Sequence, residues 1–228
     1  MPHHKSDRIE IPPAAFPEEG CVIWLHGLGA SGDDFVTVVP HLNLPHVRFI
    51  FPHAPQSAVT INNGWVMRSW YDIRTLEASD ERESEEDIER SHRRITSIID
   101  AEVERGLSPN QIVLAGFSQG AAMALHTGLR YPASLKGIIA LSGYMLLPAR
   151  FPGEAHLANT ETPLLLCHGS EDSVVPITRG RAAHQKILAA SENRDLQWRE
   201  YKMDHEVCTE ELTEIGRWLQ ERFGSPLA

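Results

Sequence analysis

The sequence predicts a three-layer α/β fold, a mainly parallel sheet with helices on both faces, and three observations carry that expectation. Short, continuous apolar runs of the kind buried in a parallel sheet recur at 21–25, 47–51, 112–115, 136–142 and 163–168. Segments of helical character separate them, so strand and helix alternate. No Ser/Gly linker or shift of composition divides the 228 residues, of which 42% are hydrophobic, enough for one α/β core spanning 1–228.

The formal net charge of −10 disfavours nucleic acid and anionic lipid surfaces as partners. Cys21, Cys167 and Cys208 have no metal-ligand spacing and read as small core residues of a reducing compartment. The segment 1–10 is polar, and no apolar run reaches the roughly 18 residues of a membrane span. These features place the chain in the cytoplasm and imply no cofactor or metal; a homodimer is compatible with them.

Taken in order, the run at 21–25 ends in His26-Gly27-Leu28-Gly29-Ala30-Ser31-Gly32. Its glycines let backbone N–H groups approach another group closely, and Asp33 or Asp34 caps a helix through about residue 42. His26 either orients this loop or reacts. The strand at 47–51 stops at Pro52-His53-Ala54-Pro55, and a long excursion follows at about 53–82. It holds Trp65, Val66, Met67, Trp70 and Tyr71 around Asn62-Asn63-Gly64, as in a binding loop or lid, or in a flap closing the sheet edge. Acidic residues at 79–89 form a solvated face, and Ile88, Ile95, Ile98, Ile99 and Val103 give a helix one apolar stripe ending at Gly106.

The stretch that organises the chain is Gly116-Phe117-Ser118-Gln119-Gly120, between an apolar strand and an Ala-rich helix. G-x-S-x-G in this context is a nucleophile elbow with Ser118 at its apex. The later strand at 163–168 delivers Glu171 and Asp172 at its carboxyl end, either able to orient a base or to cap the following helix. A strand at 198–201 precedes His205, and a helix with Leu212, Ile215, Trp218 and Leu219 on one face closes the chain. The order Ser118, Asp172, His205 is that of α/β-hydrolases among serine-triad folds. In this reading Ser118 attacks an acyl carbonyl, His205 moves the proton, Asp172 fixes the imidazole, and the backbone N–H groups of Leu28 and Gln119 form the oxyanion hole.

Assembled, these segments resemble the carboxylesterase and acyl-protein thioesterase (lysophospholipase-like) family of α/β-hydrolases, from about Gly20 to Phe223. The likeness rests on V-I-W-L-H-G-L-G-A-S-G-D-D-F at 22–35, F-P-H-A-P at 51–55, V-T-I-N-N-G at 59–64 and S-W-Y-D-I at 69–73. G-F-S-Q-G-A-A-M-A-L at 116–125, H-G-S-E-D-S-V-V-P at 168–176 and Y-K-M-D-H-E-V-C-T-E-E at 201–211 complete it. The resemblance implies the triad Ser118, Asp172 and His205, with Glu171 receding, oxyanion donors at Leu28 and Gln119, and an acyl pocket lined by Met67, Trp70 and Tyr71. Acidic Asp204 and Glu206 beside His205 depart from the family's small residues. The expected activity is that of a serine carboxylesterase on short-to-medium acyl esters. The alternatives are an acyl-protein thioesterase or lysophospholipase, and a non-catalytic binding module, which an intact triad opposes. The substrate is in either enzymatic case a small-molecule acyl ester or thioester.

Overall fold

The computed structural model describes residues 3–5, 7–75 and 82–224. Among them, eight strands form one sheet: β1 (His3–Lys5), β2 (Arg8–Ile11), β3 (Gly20–Leu25), β4 (Val47–Pro52), β7 (Ile112–Phe117), β8 (Gly137–Leu141), β9 (Leu164–Gly169) and β10 (Leu196–Tyr201). The intervening β5 (Gln56–Val59) and β6 (Trp65–Arg68) pair as a separate antiparallel hairpin. The order across the large sheet is β1-β2-β4-β3-β7-β8-β9-β10. From β4 to β10 every neighbour is parallel, and the pairs β1–β2 and β2–β4 are antiparallel.

The helices are α1 (Val39–Leu42), α2 (Glu85–Glu104), α3 (Gln119–Arg130), α4 (Ile177–Ala190) and α5 (Thr209–Phe223). Side chains alternate across a strand, and both faces here meet apolar partners. Cys21, Ile23 and Leu25 of β3 pack with Ile95 and Ile99 of α2 and the alanines of α3. Val22 and Trp24 point the other way, into the layer holding Leu42, Ile215, Trp218 and Leu219. That double burial is why the strands read as unbroken apolar runs. The expected three-layer, mainly parallel α/β fold is the fold observed. No helix among the described residues is long and apolar enough to cross a membrane.

Several local expectations shift. Neither Asp33 nor Asp34 caps the first helix: Ser31 does, its Oγ accepting from Asp33 N–H at 3.2 Å, and the segment opens as a 3₁₀ helix over Gly32–Val38 before α1. Pro40 is tolerated because it sits in the first turn of α1, where no intrahelical N–H bond is lost. The β1–β2 hairpin was absent from the sequence reading, because strands of three and four residues at a sheet edge carry too little periodicity. The excursion at 53–82 contains the β5–β6 hairpin, and its residues 76–81 lie outside the described residues. The acidic stretch begins α2 at Glu85, with Ser84 as its cap and three carboxylates in the first turn, where the helix dipole favours negative charge.

Glu211, in the first turns of α5, has no exposed surface. Burial raises its carboxyl from 4.5 to about 8, against the opposing pull of the Cys208 backbone N–H. The folded chain therefore holds this proton where the unfolded chain has released it, so stability falls as pH rises from 4.5 to about 8 and then levels off. Glu211→Gln should flatten that dependence. In thermal melts, the variant is expected to match the wild type near pH ~4 and to melt higher above pH ~8; parallel curves for the two proteins would contradict the assignment.

Candidate active site

The chemistry-bearing residues collect at the carboxyl edge of the parallel sheet, on loops leaving neighbouring strands. Ser118 lies between β7 and α3 with φ 55° and ψ −119°, a conformation that costs a side-chain-bearing residue strain. Glycines make the turn possible. A Cβ at Gly116 would stand 2.3 Å from the Gly120 carbonyl oxygen, and one at Gly120 would stand 2.3 Å from that of Leu25. Helix α3 consequently lies directly on β3 and β7.

The structure brings Ser118, His205 and Asp172 into one hydrogen-bonded chain. His205 Nδ1–H donates to Asp172 Oδ2 at 2.7 Å, which leaves Nε2 to accept from the Ser118 hydroxyl at 2.8 Å. The imidazole rests on Phe117, ring centroids 4.8 Å apart, and Phe117 is backed in turn by Phe35 and Trp24. Asp172 is buried, and its other oxygen accepts from the N–H groups of Val174 and Val175 at 3.0 and 2.7 Å. Glu171, the alternative acid, points to solvent 4.0 Å from Lys202. Such a chain can accept the proton of a serine hydroxyl as it attacks.

Two residues that sequence reasoning missed hold the acid and base in register. His168, buried at the end of β9, donates through Nε2 to the Val175 carbonyl at 2.8 Å and lies 3.4 Å from Asp172 Oδ2. Burial lowers its pKa, so the ring serves as a neutral donor. Its spacing of four residues before Asp172 in H-G-S-E-D was the available signal. Asp204, one of the two acids beside the base, accepts from Ser173 N–H at 2.7 Å, Ser173 Oγ–H at 2.8 Å and His205 N–H at 2.8 Å. These donors, Ser173 foremost, hold its carboxyl below the usual range. Asp204 thus ties the loop of the acid to the loop of the base.

The glycine loop runs against the elbow: a Cβ on Gly27 would lie 3.4 Å from that of Ser118. His26 orients this loop. Its Nδ1–H donates to the Gly27 carbonyl at 2.7 Å, Nε2 accepts from Ala54 N–H at 2.9 Å, and burial lowers its pKa to about 4, keeping the ring neutral. Gly29, with φ 76°, donates to the Arg68 carbonyl at 2.8 Å, pinning the loop beyond Leu28. Gln119 opens α3, where an N–H has no intrahelical acceptor.

Of the residues expected along an acyl pocket, Met67 is half-buried over the glycine loop, its sulfur accepting from Asn62 Nδ2 at 3.3 Å. Trp70 and Tyr71 differ: they are 0% and 1% exposed and present no surface to an acyl chain. They act as struts. Trp70 Nε1–H donates to the His26 carbonyl at 2.9 Å, and the Tyr71 hydroxyl meets that of Tyr144 at 2.7 Å. An aromatic excursion reads the same from sequence whether its rings face a pocket or a core. The Gln119 side chain clamps them, accepting from Trp70 N–H and donating to the Tyr71 carbonyl, both at 2.7 Å.

The profile of the phospholipase/carboxylesterase family matches residues 6–222. The chain belongs to that family. It is accordingly a serine hydrolase that acts on carboxylic ester bonds. It is 36% identical to acyl-protein thioesterase 1 of Yarrowia lipolytica over 98% of this chain and 99% of that one. It is also 36% identical to acyl-protein thioesterase 1 of Schizosaccharomyces pombe, over 90% and 92% of the two chains. Among solved structures, Arabidopsis thaliana SOBER1 superposes with a TM-score of 0.82 at 31% identity, covering 89% of this chain and 98% of that one. Zea mays acyl-protein thioesterase 2 gives 0.82 at 25% identity, over 95% and 99%. These likenesses extend over nearly the whole hydrolase fold.

The Gln119 clamp yields a prediction. Gln119→Ala strands the Trp70 N–H in a buried site, at about 1–3 kcal/mol, while the Tyr71 carbonyl keeps its bond from the Ser69 hydroxyl at 2.7 Å. Urea unfolding should show a loss of about 1–3 kcal/mol; a loss under ~0.5 kcal/mol would mean that water replaces the side chain.

Proposed function

We propose that the chain deacylates proteins as an acyl-protein thioesterase, rather than serving chiefly as a carboxylesterase of short-to-medium acyl esters. Near-full-length likeness to curated acyl-protein thioesterases carries this reading, and it favours the alternative weighed from sequence over the main expectation. The serine–histidine–aspartate hydrogen bonds support the chemistry.

In the proposed cycle Ser118 Oγ attacks the thioester carbonyl carbon while His205 Nε2 takes the hydroxyl proton. Asp172 stabilises the imidazolium, with its position secured by His168 and the Val174 and Val175 amides. The N–H groups of Leu28 and Gln119 receive the developing oxyanion. The cysteine thiol leaves with the proton from His205, and water, activated by the same histidine, releases the carboxylic acid and restores Ser118. Met67, over the glycine loop, is the member of the expected pocket set with surface to offer the acyl chain.

Ser118→Ala should leave a folded protein with hydrolysis reduced by roughly 10³-fold or more, and a fluorophosphonate should label the wild type at Ser118 only. Labelling at Ser31, Ser142 or Ser170 would overturn the nucleophile. To separate the two enzymatic readings, one peptide carrying the same acyl group on cysteine or on serine is compared: kcat/KM is expected to favour the thioester, and a preference for the oxygen ester would return the carboxylesterase reading.

Chain length tests Met67. A buried methylene contributes about 0.8 kcal/mol, up to roughly fourfold in kcat/KM, until the pocket is full. With acyl chains of increasing length, Met67→Ala should move the plateau, and an identical profile in both proteins would remove Met67 from the site.

A further inference from the structure

A cavity of about 750 Å³ opens between the loop after β8, the first half of α4 and the residues leading into α2. Its lining carries four cations, Arg82, Arg150, Arg179 and Lys186, against two carboxylates, Glu83 and Glu85. Among the described residues, that lining is positive by two charges, on a chain whose formal net charge is −10. The ion pairs among the described residues leave Arg179 and Lys186 with donors to spare. Glu83 is shared between Arg82 at 3.1 Å and Arg179 at 3.3 Å, Arg150 takes both Glu85 at 2.5 Å and Glu154 at 3.5 Å, and Lys186 has no ion-pair partner among the described residues.

Arg179 is the best-positioned of these groups. Its guanidinium stacks on the Tyr144 ring at 3.4 Å, which fixes the plane of the fork, and while Nη2 faces Glu83, Nη1 is buried with no hydrogen-bond partner. A fixed guanidinium with an unused donor suits a planar or tetrahedral oxyanion. The remaining wall is apolar, through Met145, Leu147 and Ala183, and the volume is far larger than an inorganic ion requires. The ring of Tyr144 is part of the lining. Its hydroxyl meets Tyr71, whose carbonyl is held by Gln119, the residue after Ser118.

We propose that this cavity binds a small amphiphilic anion, an alkyl body ending in a carboxylate or a phosphate monoester, with Arg179 and Lys186 holding the anionic end. The proposal does not depend on which ester or thioester is the substrate, and it concerns a site whose described lining includes none of Ser118, Asp172 and His205.

Titration calorimetry on the whole chain tests it with three probes of one chain length: hexanoate, hexyl phosphate and hexan-1-ol. Both anions should bind, with the alcohol weaker by about tenfold or more, and added salt should narrow the gap. The ratio of the two anions tells carboxylate from phosphate as the preferred head. Arg179→Gln and Lys186→Gln should each weaken the anions by about fivefold or more and leave the alcohol unchanged, with thermal melts checking that each variant folds. Lys186, half-buried and unpaired, gives the test even if Arg179→Gln fails to fold. Binding of the anions should survive phosphonylation of Ser118. An alcohol that binds as tightly as the anions, anion affinities unmoved in Lys186→Gln, or binding abolished by phosphonylation would each overturn the site. A chain that takes no phosphonyl label would instead count against the serine-hydrolase mechanism and leave the titration to decide the cavity.

Discussion

The structure depends on how closely α3 approaches the sheet. With no side chain at Gly116 or Gly120, the first turn of the helix sits on the carbonyl edge of β3 and on β7 itself. That approach forces Ser118 into a positive-φ turn and lifts its hydroxyl clear of both elements. It also brings the loop after β3 against the elbow, since Gly27 passes within van der Waals reach of the serine. The local strain is carried by the apolar layers on either side of the sheet, where β3 and all of β7 up to Phe117 are buried.

Around that contact, polar side chains perform tasks usually left to backbone pairing. Gln119 caps two peptide groups of the aromatic segment, His26 bridges the glycine loop to Ala54, and Asp204 fastens the last two loops of the site to each other. Each is a side chain satisfying buried or constrained main-chain groups in segments without regular structure, where unpaired groups would be costly. The loops of the site are consequently held from within, by the same residues that border the reacting groups.

The parallel strands, the elbow and the order serine, acid, histidine were legible because each leaves a local signature: apolar runs, a glycine pattern and position after a strand. The helix stripe of Ile88, Ile95, Ile98 and Ile99 was legible for the same reason. What was not legible is long-range. Whether Trp70 faces a pocket or a core depends on Gln119, forty-nine residues away, and the part played by Asp204 depends on Ser173, thirty-one residues away. The edge strands β1 and β2 escaped because so few residues carry no measurable period. The charged cavity escaped too, since Arg82, Arg150, Arg179 and Lys186 are scattered in sequence and look like ordinary surface charge until the fold gathers them.

The strand order carries a consequence for how the site is completed. Ser118 belongs to the middle of the sheet, whereas its hydrogen-bond partner His205 follows β10, the strand that docks at the outer edge against β9. The elbow, α3 and the strands from β3 to β9 therefore all precede in sequence the residue that supplies the imidazole. The base comes only after β10, and Asp204 locks it to the acid loop. Because α5, which follows His205, also covers one face of β3 and β7, the same stretch completes both the core and the triad, and the chain's reactivity toward acyl groups reports on whether that stretch is in place.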